Sequence, residues 1–125
     1  MDNKEVTLEE NLRILRMIAE LPQNWNAHGA SSFSKEHIAI VESVIRDLPI
    51  QPMIFPTAAD GIQLEYEEIC GCRTHYMQFT IYADGACMYF REIYKGSYLQ
   101  FPIYLAQIKD KVNAFYWKGL DNDGK

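Results

Sequence analysis

The sequence predicts an α+β domain: a two-layer sandwich with two N-terminal helices, an antiparallel meander of three to five strands, and a C-terminal helix. Three observations carry this. Apolar residues recur at spacings of three and four from Leu8 to Leu21 and again from Ile38 to Leu48. The period changes to two after Pro52, and helical spacing returns after Pro102. No internal repeat, low-complexity segment or long linker divides the 125 residues, which fit one domain with flexible ends at 1–6 and 120–125.

The first helix is expected over Thr7 to Leu21. Thr7 and Glu10 have the spacing of a capping box, in which each side chain satisfies a backbone N–H of the other. Leu8, Leu12, Leu15, Ile18 and Leu21 form one stripe, and Pro22 ends the run. Ser34 is placed to cap a second helix, with Phe33 and Ile38 spaced as a hydrophobic staple. Its stripe is Ile38, Val41, Val44 or Ile45, and Leu48, stopped by Pro49. Two helices joined by so short a loop pack as a pair.

Met53-Ile54-Phe55 is a short run broken by Pro56, an edge strand at most. After the turn signal Asp60-Gly61, Ile62, Leu64 and Tyr66 alternate with Gln63, Glu65 and Glu67. Met77, Phe79 and Ile81 alternate with Gln78, Thr80 and Tyr82. Asp84-Gly85 turns the chain into a strand from Ala86 to Ile93, and Tyr98 to Phe101 adds a short one. Pro102 suits the first turn of the last helix, whose stripe is Leu105, Ile108, Val112 and Phe115, with Gly119 as its stop.

The formal net charge of −5 argues against a phosphate-backbone binder, so no direct nucleic-acid binding is expected. No run approaches the ~20 apolar residues of a membrane span, and the N-terminus lacks a signal-peptide core. Three cysteines, an odd number, fit a reducing, cytoplasmic setting.

The least ordinary stretch is Asn24-Trp25-Asn26-Ala27-His28-Gly29-Ala30. Trp25 in such a turn-forming loop either plugs the core or belongs to a recognition surface with Asn26 and His28. Tyr76 and Tyr82 lie on the strand face opposite Met77, Phe79 and Ile81, and with Tyr89, Tyr94 and Tyr98 they suggest a contact surface. Cys70, Cys72 and His75 read C-x-C-x2-H, with Cys87 the fourth residue if a hairpin brings it near. The tight spacing and missing second knuckle favour ordinary reduced cysteines, so no metal and no cofactor is expected. No glycine-framed turn accompanies a cysteine nucleophile. His37, near a helix start, reads as a solvated surface residue, and Glu65, Glu67 and Glu68 as a solvated strand face.

Asn24 to Ala30, then Phe55-Pro56-Thr57 and Asp60-Gly61-Ile62-Gln63-Leu64-Glu65-Tyr66, together resemble a group of small uncharacterised bacterial and phage proteins. Those carry an Asn-Trp-Asp-Gly-Tyr-Gly-Ala loop and a later Pro-Thr-x-x-Gly-Gly-Ile-x-Leu-Glu-Trp strand motif. The similarity spans about residues 8 to 90. Asn26, Ala27, His28 and Tyr66 depart from the pattern, Ala27 most consequentially because it replaces a glycine. The resemblance implies no established activity. Its association with mobile elements favours a protein-binding role in phage–host or toxin–antitoxin conflict. The leading expectation is therefore a non-enzymatic protein-binding module, such as an inhibitor, immunity factor or antitoxin. Homodimerisation through the sheet is compatible with it. The alternative is a small-molecule-binding or metal-dependent enzyme with a site beside the Trp25 loop.

Overall fold

A computed structural model describes residues 6–70, 73–94 and 96–116. In order they form α1 (Leu8–Ala19), α2 (Lys35–Arg46), β1 (Met53–Pro56), β2 (Gly61–Cys70), β3 (Arg73–Tyr82), β4 (Cys87–Tyr94), β5 (Ser97–Ile103), a 3-10 turn (Leu105–Gln107) and α3 (Ile108–Tyr116). The class is α+β.

The helix starts follow from their caps. Glu10 N donates to Thr7 Oγ1 (3.1 Å) and Thr7 N donates to Glu10 Oε1 (3.0 Å), the reciprocal pair that the spacing predicts. His37 N donates to Ser34 Oγ at 3.0 Å, starting α2. Asn11 also lies in α1 and is fully buried. Its amide donates to Gln51 Oε1 (3.0 Å) and Pro52 O (2.9 Å), tying α1 to the segment that enters β1.

The five strands lie in sequence order, each antiparallel to the next. Such a meander needs only short turns. In one of them Gly85 takes φ +87°, which a glycine adopts without strain, and Tyr82 N donates to Ala86 O at 2.9 Å. Cross-strand partners share a face. One row reads Ile54, Leu64, Phe79, Tyr89 and Phe101; the next contains Ile62, Ile81, Cys87 and Ile103. From this face Ile62, Leu64, Met77, Phe79 and Ile81 are wholly buried. They form one core with Leu15 and Ile18 of α1, Val41 and Ile45 of α2, and Ile108, Val112 and Phe115 of α3. Each such side chain contributes roughly 1.5–3 kcal/mol by leaving water.

Four expectations are corrected. Pro102 does not open the last helix; it pairs with Met88 inside β5. At a sheet edge a proline's missing N–H leaves no ladder bond unmade if its nitrogen faces outward. The helix begins later, after Tyr104 N donates to Gln107 Oε1 at 2.8 Å. His37 is not solvated: it is 2% exposed, its Nε2 2.7 Å from Ile81 O. Tyr89 belongs to the core, at 4% exposure, and not to a contact surface. Cys87 pairs with Ile81, six residues along β3 from His75. At about 3.3 Å per residue that is roughly 20 Å, so Cys87 cannot complete a metal set with His75. Gly71, Cys72 and the segment containing Gly119 lie outside the described residues.

Candidate functional site

The side chains opposite the core define the second face of the sheet. One row runs Glu67, Tyr76, Glu92, Tyr98; the next runs Glu65, Gln78, Phe90, Gln100. Across these rows Tyr76, Phe90 and Tyr98 form an aromatic ladder, with ring centroids 5.9 Å and 5.1 Å apart. Tyr76 and Phe90 are half-buried by their neighbours, while Tyr98 is 57% exposed. Met53 and Phe55 extend the apolar surface across β1.

A polar track runs beside the ladder. Tyr76 Oη donates to Gln78 Oε1 at 2.7 Å, and Gln78 Nε2 donates to Thr80 Oγ1 at 3.4 Å. Burial, then the negative charge of Glu65 and Glu67, holds the Tyr76 hydroxyl above the ordinary tyrosine range. It therefore stays a neutral donor at physiological pH. Glu65, Glu67 and Glu92 give this face three carboxylates, and among the described residues no Lys or Arg occupies an outward strand position. The arrangement is aromatic and acidic.

Tyr82 lies at the far end of the same face, opposite Gly61. A Cβ on Gly61 would lie 2.5 Å from Thr80 Cγ2 and 3.1 Å from the Tyr82 ring, so only glycine lets these side chains close over the backbone. Tyr76 and Tyr82 share a face, but six residues, roughly 20 Å, separate them.

The Trp25 loop is built from its own side chains. Asn24 Oδ1 accepts from Gly29 N (2.6 Å), and Asn26 Oδ1 accepts from His28 N (2.8 Å) and Ala30 N (3.1 Å). Trp25 Nε1 donates to Ser31 O at 2.9 Å, and its ring lies 6.1 Å from that of Phe33. Phe33 in turn lies 5.5 Å from His37, whose Nε2 meets Ile81 O. Trp25 therefore packs on the core from the helix side, away from Tyr76. His28 projects exposed at the tip. Ala27 has φ +65°, the left-handed conformation that glycine adopts without strain.

Other reactive groups are scattered. Burial pushes the Cys87 thiol up to about 12, which keeps it protonated and unreactive. Among the described residues no three His, Cys, Asp or Glu side chains are placed to hold a metal ion. A shallow groove of about 450 Å³ runs between α2 and the start of α3, lined by Ile40, Val44, Leu105 and Lys109 among others, and no residue of the Trp25 loop reaches it. No helix among the described residues is long and apolar enough to cross a membrane.

Sequence pattern singled out Trp25, Tyr76, Tyr82 and Tyr98, but not Phe90, whose ring lies between those of Tyr76 and Tyr98. Its strand alternates less cleanly, and only the register sets the three rings side by side. No family model, curated protein or solved structure matches the chain.

Proposed function

We propose that the chain is a non-enzymatic, cytoplasmic protein-binding module acting as an inhibitor, immunity factor or antitoxin. In this reading the fold is a two-layer sandwich whose helices cover one sheet face and leave the other for a partner. The observation that carries it is the half-exposed ladder Tyr76–Phe90–Tyr98, bordered by Glu65, Glu67 and Glu92 and crossed by no other described element. Aromatic side chains supply large contact area at low entropic cost, and interface energy concentrates on them. Unopposed carboxylates favour a partner bearing Lys or Arg, which pairs with the acids and stacks its cation on the rings. The resemblance to phage and bacterial proteins supports the same class of role.

Affinity capture from the native host, with wild type beside a Tyr76→Ala/Phe90→Ala double variant, tests the proposal. It requires a stoichiometric protein retained by wild type, lost from the variant and released by raised salt. Identical captured proteins from both forms would refute it.

A further inference from the structure

The sheet has two edges, and they differ. β1 spans four residues and stops at Pro56, a short, blunted edge. β5 spans seven residues, Ser97–Ile103, and among the described residues pairs on one side only, with β4. Its sequence, Ser-Tyr-Leu-Gln-Phe-Pro-Ile, contains no charged residue, in a chain where 23% of residues are charged. Leu99 is 44% exposed and Phe101 38% exposed, both on the helix side, while Tyr98 is exposed on the other. A long edge that is apolar on both sides and lacks the usual lysine is a template for strand addition.

We propose that β5 is a homodimerisation edge, pairing antiparallel with β5 of a second copy to make a continuous ten-stranded sheet.

Charge selects a second copy at this edge and opposes it on the sheet face. A face-to-face dimer would set Glu65, Glu67 and Glu92 against their own images in a chain of net charge −5. The paired residues of β5, Ser97 to Ile103, carry no charge and so set no like charges opposite one another. The strand is also self-complementary. A proline at a sheet edge leaves the ladder intact when its nitrogen faces away from the neighbouring strand. With Pro102 turned from β4 in this way, parity aims the N–H and C=O of Gln100 outward as well. A two-fold axis at Gln100 then lets the two copies exchange both bonds there. It sets Leu99 opposite Phe101 of the second copy, an aliphatic–aromatic cross-strand pair. Tyr98 N–H faces the carbonyl of Pro102 across the axis, so the absent proline donor costs two bonds in the whole interface and leaves its centre complete. Phe101 is already held for this role, its ring 5.2 Å from Tyr89 and beneath the Lys111 ammonium at 5.6 Å.

The test is sedimentation of the full chain across a concentration series, with Leu99→Lys and Gln100→Lys beside wild type. Leu99 points to the helix side, so its replacement leaves the proposed partner face untouched. Wild type is expected to dimerise, and each lysine to weaken association by about tenfold or more with unchanged far-ultraviolet circular dichroism. Hydrogen exchange on wild type adds a readout independent of mutation: β5 amides gain protection as concentration rises. A wild type that stays monomeric, a dimer indifferent to both lysines, or β5 protection independent of concentration would overturn the proposal. Partner capture through Tyr76 and Phe90 is scored separately and stands or falls alone.

Discussion

His37 Nε2 lies 2.7 Å from the carbonyl oxygen of Ile81, joining the first turn of α2 to the end of β3. The contact is buried and links residues 44 positions apart. It requires the proton on Nε2, so the imidazole acts as a donor. His37→Ala removes this bond and most of a buried ring. The expected loss is about 2–4 kcal/mol, read as a lower urea midpoint. A midpoint within error of wild type would show that the bond is dispensable.

Ala27 holds a left-handed φ of +65°. A non-glycine residue there costs about 1–2 kcal/mol relative to glycine, partly offset by glycine's greater freedom when unfolded. Ala27→Gly is therefore expected to raise stability by about 1 kcal/mol. Thermal melts check it; a lower melting temperature would mean that Ala27 carries no strain.

The two sheet faces make opposite predictions. Phe79 is wholly buried, so Phe79→Ala is expected to cost about 3–5 kcal/mol. Tyr76 faces outward and is half-exposed, and Tyr76→Ala is expected to stay within about 1 kcal/mol of wild type. Denaturant melts on both variants decide the matter. The reverse order would exchange core and surface.

Stability is expected to fall at alkaline pH. Burial pushes Cys87 up to about 12; burial, then Glu68, pushes Tyr116 up to about 12. Burial, then Tyr116, raises Tyr66 as well, whose hydroxyl donates to Ile50 O at 2.6 Å. All three are neutral when protonated, so folding favours the protonated form. Their contribution is fully present below the ordinary values, 9.0 for the thiol and 10.0 for the phenols; it is lost as pH rises through about 12 for Cys87 and Tyr116, and at higher pH still for Tyr66. Unfolding free energies from urea melts should decline above pH ~9, less steeply in Cys87→Ala. A flat profile through this range would contradict the assignment.

What the sequence made legible was local. The Thr7–Glu10 box, the Ser34 cap and the alternation around Phe79 depend on neighbours within a few residues, and each lies where the pattern puts it. What it hid depends on distant partners. Nothing near His37 or Asn11 signals burial, because Ile81 O and Pro52 O lie far along the chain. Pro102 reads equally as a helix start and as an edge-strand residue until β4 supplies the neighbour. The aromatic ladder is likewise a product of register: Tyr76 and Tyr98 are visible as candidate contact tyrosines, but Phe90 joins them only through two pairings.

We propose that partner binding belongs to the sheet face and not to the Trp25 loop. The most direct measurement is calorimetric affinity for the captured partner, comparing Tyr76→Ala, Phe90→Ala and Tyr98→Ala with His28→Ala at the loop tip. At least two of the three ladder variants are expected to lose about tenfold or more in affinity, each still folded, while His28→Ala binds as wild type. Undiminished affinity in all three ladder variants, with loss in His28→Ala, would contradict it and move the binding site to the loop.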